Sequence, residues 1–256
     1  MLINFFKKNM PYLKNNIFLG LSLSIFIPNA FSDQWNIVID NGVAWPHFKS
    51  STTDILVDPD VINQYTVKTP PQSKWFYGIG ISDQFEYANT SLSLGLSTYF
   101  MKTDVAGVNT PFINAGNFDT LNYTVQGRAR AFFLEPKITW KKTLLQPYFI
   151  GGLGVAYNHF GSYTEVPSAE DSTAVPTLDP FNNRTKSNFA YEFGAGVQYP
   201  IICMNKITPV LALDYRMMNF GTAQLAPAAG QTSSQTLSFG HLRSNAVNLN
   251  LIVPIS

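Results

Sequence analysis

The sequence is poor in charge. Only 13% of its 256 residues are Asp, Glu, Lys or Arg, against roughly 25% in ordinary soluble domains, which argues against a surface turned wholly to water. It has a single cysteine, Cys203, which excludes an intrachain disulfide. Its three histidines, His47, His159 and His241, are scattered. With one cysteine they give no metal-ligand spacing, and no cofactor or metal is expected. Beyond residue 27 the chain lacks any apolar run long enough for a membrane helix, which needs about 20 residues. A basic surface is missing too, which excludes a nucleic-acid partner.

What the chain has is aromatic residues, 14% of the total, within 45% hydrophobic content. Its first residues carry Lys7, Lys8 and Lys14 with no acid, then the apolar run Ile17 to Ile27, then Pro28 and the small-residue site Ala30-Phe31-Ser32. This pattern predicts a secretory signal peptide over residues 1–32, cleaved after Ser32, followed by one domain over 33–256. The mature chain then holds 14 Lys+Arg against 16 Asp+Glu, a net charge of −2. An exported chain lodged in a membrane without a helix must be a closed β-barrel, since no other fold satisfies its backbone in lipid.

The clearest strand is Phe189 to Tyr199. Phe189, Tyr191, Phe193, Val197 and Tyr199 share one face, and Ala190, Glu192, Gly194, Gly196 and Gln198 share the other. Aromatic ends suit the two edges of a lipid slab, and a glycine-rich face suits a narrow interior. Seven more segments read the same way: Trp35–Trp45, Lys74–Ser82, Ser91–Phe100, Leu121–Trp140, Pro147–Phe160, Pro209–Phe220 and Phe239–Ile255. Asn41 on the lipid-facing parity suggests a bulge in the first. Arg128 and Arg130 carry the same parity in the fourth, so they lie above the membrane or a bulge changes the phase.

The connections between these segments run long, short, long, short, long, short, long. Outer-membrane barrels alternate short periplasmic turns with longer outside loops. The expected fold is therefore all-β, an eight-stranded antiparallel transmembrane barrel with both ends in the periplasm. Asp54–Val57 and Tyr65–Val67 could form a hairpin beyond the membrane, which leaves a ten-stranded count as the alternative.

The chain resembles the small eight-stranded outer-membrane β-barrel family, of the opacity-protein and OmpA-transmembrane-domain type. The resemblance spans residues 33–256 and is carried by Leu134-Glu135-Pro136-Lys137-Ile138, by Pro147-Tyr148-Phe149-Ile150-Gly151-Gly152-Leu153-Gly154 and by Phe193-Gly194-Ala195-Gly196-Val197. It implies a Gram-negative outer-membrane location, with outer-membrane lipids, lipopolysaccharide and the assembly machinery as partners. The resemblance specifies activity poorly; the long connections point to a structural or adhesin-like role, with a narrow porin-like channel as the alternative.

Eight strands leave an interior that side chains can fill. The inward parity collects Asp40, Glu135, Lys137, Glu192, Asp214 and Arg216, with Asn248 and Asn250. A turn centred near Met204 sets Glu192 opposite Arg216. The expected network is a plug of ion pairs, with an ion or proton path as the other reading. His241 and Ser244 faintly resemble the His-x-Ser-Asn motif of lipid A deacylases. Their spacing of three puts them on opposite faces, so the expectation is a non-enzymatic barrel. Phe48, Tyr163 and Phe181, in or beside the long connections, are the expected contact points for a host surface or another extracellular ligand.

Overall fold

The computed structural model describes residues 34–49, 51–58, 61–68, 72–111, 119–176, 180–201, 208–228 and 235–255. The signal peptide expected over 1–32, Cys203 and Met204 lie outside the described residues. The described strands are β1 (Gln34–Phe48), β2 (Thr52–Asp58), β3 (Val61–Val67), β4 (Lys74–Tyr87), β5 (Thr90–Thr110), β6 (Leu121–Trp140), β7 (Gln146–Pro167), β8 (Phe181–Asn182), β9 (Arg184–Pro200), β10 (Val210–Pro227) and β11 (Leu237–Ile255).

Eight of these close a ring in the order β1, β4, β5, β6, β7, β9, β10, β11, all antiparallel, with β11 pairing back onto β1. The β1–β11 register is unbroken from Trp35↔Ile255 to Phe48↔Leu242. Asn41 therefore faces outward with no bulge. The hairpin expected beyond the membrane is present as β2 and β3. It does not enlarge the ring. β3 pairs with the far end of β5, from Gln64↔Thr110 to Val67↔Gly107, above the point where β4 has ended.

We call the end bearing the short connections at 88–89, 141–145 and 201–209 the lower end. In the lower half the outward faces are apolar: Leu92, Leu94 and Leu96 on β5, Leu134 and Ile138 on β6, Leu153 and Val155 on β7 and Leu249 and Leu251 on β11 are all exposed. Such a surface is unfavourable in water and matches the hydrocarbon of a bilayer.

The strands run on well past this band, and here the structure corrects the sequence reading. Residues 101–110, 161–167 and 221–227 are strand and not loop. The reason is a change of solvent. Above the band, β5 turns Met101, Thr103 and Val105 inward and Lys102 and Asp104 outward. On β6, Tyr123 and Val125 are buried while Asn122, Thr124 and Gln126 are exposed. The parity is unchanged but the apolar face has moved to the inside, as in a barrel standing in water. β7 adds a bulge: Thr124↔Thr164 is followed by Gln126↔Gly161, and Ser162 takes φ 53° to absorb the extra residue.

The upper interior is an aromatic cluster. Phe160 meets Phe48 at 6.0 Å and Phe239 at 5.8 Å, ring centroid to centroid, and Phe181 meets Tyr65 at 5.4 Å and Tyr163 at 5.2 Å. Phe48, Tyr163 and Phe181 are thus corrected from contact points to inward packing residues. Beyond the lipid the inside of the wall is the only dry place for an aromatic ring. Burial raises the pKa of the Tyr65 phenol above its ordinary value, so it stays neutral.

Candidate functional site in the barrel interior

The lower interior holds the charged side chains. Arg216 on β10 is 2% exposed and lies among four carboxylates. Its Nη2 is 3.1 Å from Asp40 Oδ1 and its Nε is 3.0 Å from Asp214 Oδ1. Its Nη1 lies 3.5 Å from Glu135 and 3.8 Å from Glu192, and donates a hydrogen bond to the Tyr99 hydroxyl. The guanidinium fork can serve several oxygens in fixed directions, which a lysine could not.

Two of the carboxylates are held in turn, while Glu192, buried beside the guanidinium, has no hydrogen-bond partner of its own among the described residues. Glu135 accepts from Ser97 and from Tyr99, both at 2.6 Å. Asp214 accepts from Tyr148 at 2.8 Å, Asn248 at 2.9 Å and Asn250 at 2.5 Å. Every ring strand but β4 supplies a named member. Lys137 sits lower, its ammonium 4.2 Å from the centroid of the Tyr148 ring, as a cation–π contact.

Glycine makes the space. A Cβ at Gly78 would stand 2.3 Å from the Tyr99 ring, one at Gly152 2.7 Å from Glu192, and one at Gly194 2.9 Å from Arg216. The small inward residues of one strand thus receive the large ones of its neighbours. Below Arg216 lies a cavity of about 30 Å³, lined by Ser82, Ser97, Lys137 and Asn250 among others. That is room for about one water, on the scale of roughly 30 Å³ per water.

The structure brings Asp40, Glu135, Glu192, Asp214 and Arg216 into one cluster and places Lys137 beside it. One detail of register differs. Arg216 pairs with Gly194, and Glu192 pairs with Met218, one step along the same face. The long arginine side chain spans the offset. Sequence reading missed Ser97, Tyr99 and Tyr148 as members. Their inward parity was legible, but nothing local marks which hydroxyl meets a carboxylate on the next strand or the one beyond it. His241 is exposed and Ser244 is fully buried, so the two do not share a face. Among the described residues no group of His, Cys, Asp and Glu is placed to hold a metal ion.

No protein-family model and no curated protein sequence matches the chain. Solved structures do. Neisserial surface protein A (NspA) is 10% identical, over 87% of this chain and 98% of that one, with a TM-score of 0.37. OprG from Pseudomonas aeruginosa is 13% identical, over 87% and 96%, with a TM-score of 0.39. The fold, as the chain's own pairing shows, is a closed antiparallel ring of eight strands with an apolar outer band. A third similar structure, the outer membrane protease OmpT from Escherichia coli, is 8% identical, over 90% and 99%, with a TM-score of 0.45. It corrects the non-enzymatic expectation: one of the structures this chain is similar to is a protease.

Proposed function

We propose that this outer-membrane barrel is a rigid mount that carries a binding surface outside the cell. Residues 1–32 serve as its export signal, the assembly machinery inserts it, and the lower end with both termini faces the periplasm. Lipopolysaccharide and the other outer-membrane lipids surround the apolar band. The observation that carries the reading is the continuation of the ring strands past that band as a wall with an aromatic core. Such a wall holds its rim stiffly in water.

The Arg216 network supports a plug more than a path. Its carboxylates gather round one guanidinium, and the cavity beneath them has only about 30 Å³. With Phe48, Tyr163 and Phe181 turned inward, exposed apolar side chains on the outer rim among the described residues include Leu56, Val166 and Val175, which are 43%, 57% and 80% exposed. They are the contact residues of choice for an extracellular ligand.

Adhesion of cells displaying the chain to host-cell monolayers tests the role. The wild type is expected to adhere, and a Leu56→Ser, Val166→Ser, Val175→Ser variant is expected to lose adhesion while its barrel stays folded. Equal adhesion with and without the chain would overturn the surface role. Planar-bilayer recordings test the plug: a reproducible conductance that changes with Glu192→Gln would replace it with a channel.

A further inference from the structure

On the outer wall, where the apolar band ends, β5, β6 and β7 form an open cleft of about 770 Å³. Its charged members are Lys102, Arg128 and Arg130, all outward and exposed. They are held together by register. Lys102 pairs with Arg128, and Arg130 pairs with Phe100 on one side and Tyr157 on the other. The cleft's apolar walls are Tyr77, Phe100, Phe132 and Tyr157. Tyr77 and Phe100 stack at 5.2 Å, and the Arg130 guanidinium lies 5.0 Å from the Phe100 centroid.

Among the described residues none of the three cations has an ion-pair partner. Asp104, two positions along the same face from Lys102, is taken by Lys74 at 2.5 Å. Like charges gathered on paired strands repel one another; Arg130 has the Phe100 ring, but no anionic side chain among the described residues offsets the three charges. Their depth says which anion. Along β5 the outward positions pass from Leu92, Leu94 and Leu96 through Phe100 to Lys102, and along β6 from Ile138, Leu134 and Phe132 to Arg130 and Arg128. Aromatic rings at that level mark the lipid–water boundary; Arg130 stands level with them, and Lys102 and Arg128 stand one step above, at headgroup depth. Arginine matches phosphate with paired donors, and lysine adds a point charge.

We propose that this cleft is a binding site for a phosphorylated lipid of the outer leaflet, of the lipid A class. Lys102, Arg128 and Arg130 clasp its phosphates, and Phe100, Phe132 and Tyr157 lie along its acyl chains. The site deepens the outer-membrane reading above and rests on it.

The test uses the full chain, folded in detergent micelles, with bisphosphorylated lipid A as the probe and its dephosphorylated form as the comparison. The wild type is expected to hold the bisphosphorylated form at least about tenfold more tightly. Arg128→Ala with Arg130→Ala is expected to abolish that preference, while Arg243→Ala, on the opposite wall, is expected to keep it. The two-lipid comparison needs no variant, so it stands whether or not the double variant folds. Equal affinity for the two lipids would overturn the site. So would full displacement of the lipid by millimolar inorganic phosphate, which would mean a free-anion site. Heat-dependent mobility in SDS, measured on the same samples, separates two failures. A folded barrel without lipid preference loses only the site, and a chain that forms no barrel loses the outer-membrane reading as well.

Discussion

In the lower half of β6, Leu134 and Ile138 face outward while Glu135 and Lys137 face inward; in its upper half Gln126 and Arg128 face outward while Tyr123 and Val125 face inward. The strand is continuous and its alternation never slips. Only the surroundings differ. Lipid outside the lower half leaves the interior as the sole place for polar groups, and they must then bond to one another, as Arg216 and its carboxylates do. Water outside the upper half lets polar residues face out, and the interior closes on rings such as Phe160 and Phe239. One ring of strands thus has two cores of opposite chemistry, stacked end to end.

The comparison breaks most readily at Arg216. Arg216→Met is expected to cost about 3–5 kcal/mol, because it leaves four carboxyl groups buried without their cation. Urea unfolding in micelles, followed by tryptophan fluorescence, measures it. In the other core, Phe160→Ala is expected to cost a similar amount, about 3–5 kcal/mol, by opening a cavity against Phe48 and Phe239. Hydrogen exchange should then place the loosening in the upper strand ends while the lower ladder stays protected.

A matched pair of substitutions sharpens the contrast from outside. Leu96→Lys, on the lipid-facing half of β5, is expected to destabilise the barrel by about 2–4 kcal/mol in bilayers. Gln126→Lys, outward on the upper half of β6, is expected to change it by no more than about 0.5 kcal/mol. Equal effects would remove the boundary between the halves. Last, Gly78→Ala sets a methyl 2.3 Å from the Tyr99 ring and tilts the hydroxyl that joins Arg216 to Glu135. Overpacking of this kind costs about 1–3 kcal/mol, and the unfolding midpoint reads it.

The same change of solvent decides what was legible in the sequence. Side-chain parity was readable nearly everywhere, so the inward set Asp40, Glu135, Lys137, Glu192, Asp214 and Arg216 follows from alternation, and the ring of eight needed the alternating connection lengths as well. The meaning of parity was not readable above the lipid. There, outward Arg128 and Arg130 looked like a break in the pattern, and the inward turns of Phe48, Tyr163 and Phe181 could not be seen. Tyr163 was hidden further by the bulge at Ser162, which shifts the phase by one residue with no sequence mark. The pairing of Arg216 with Gly194 was missed by one two-residue step, because the connection at 201–209 does not fix its own register. Tyr99 and Tyr148 could not be assigned because their partners lie far along the chain: Tyr99 is 117 residues from Arg216 on the opposite wall, and Tyr148 is 66 from Asp214, two strands round the ring.

The most direct test of the closed, lipid-embedded barrel is the electrophoretic mobility in SDS of the chain from membrane fractions, with and without boiling. The account predicts a clear heat-dependent shift in the wild type, since a closed ring with no free edge resists the detergent until heated. A chain recovered in the soluble periplasmic fraction, with one mobility before and after boiling, would contradict it.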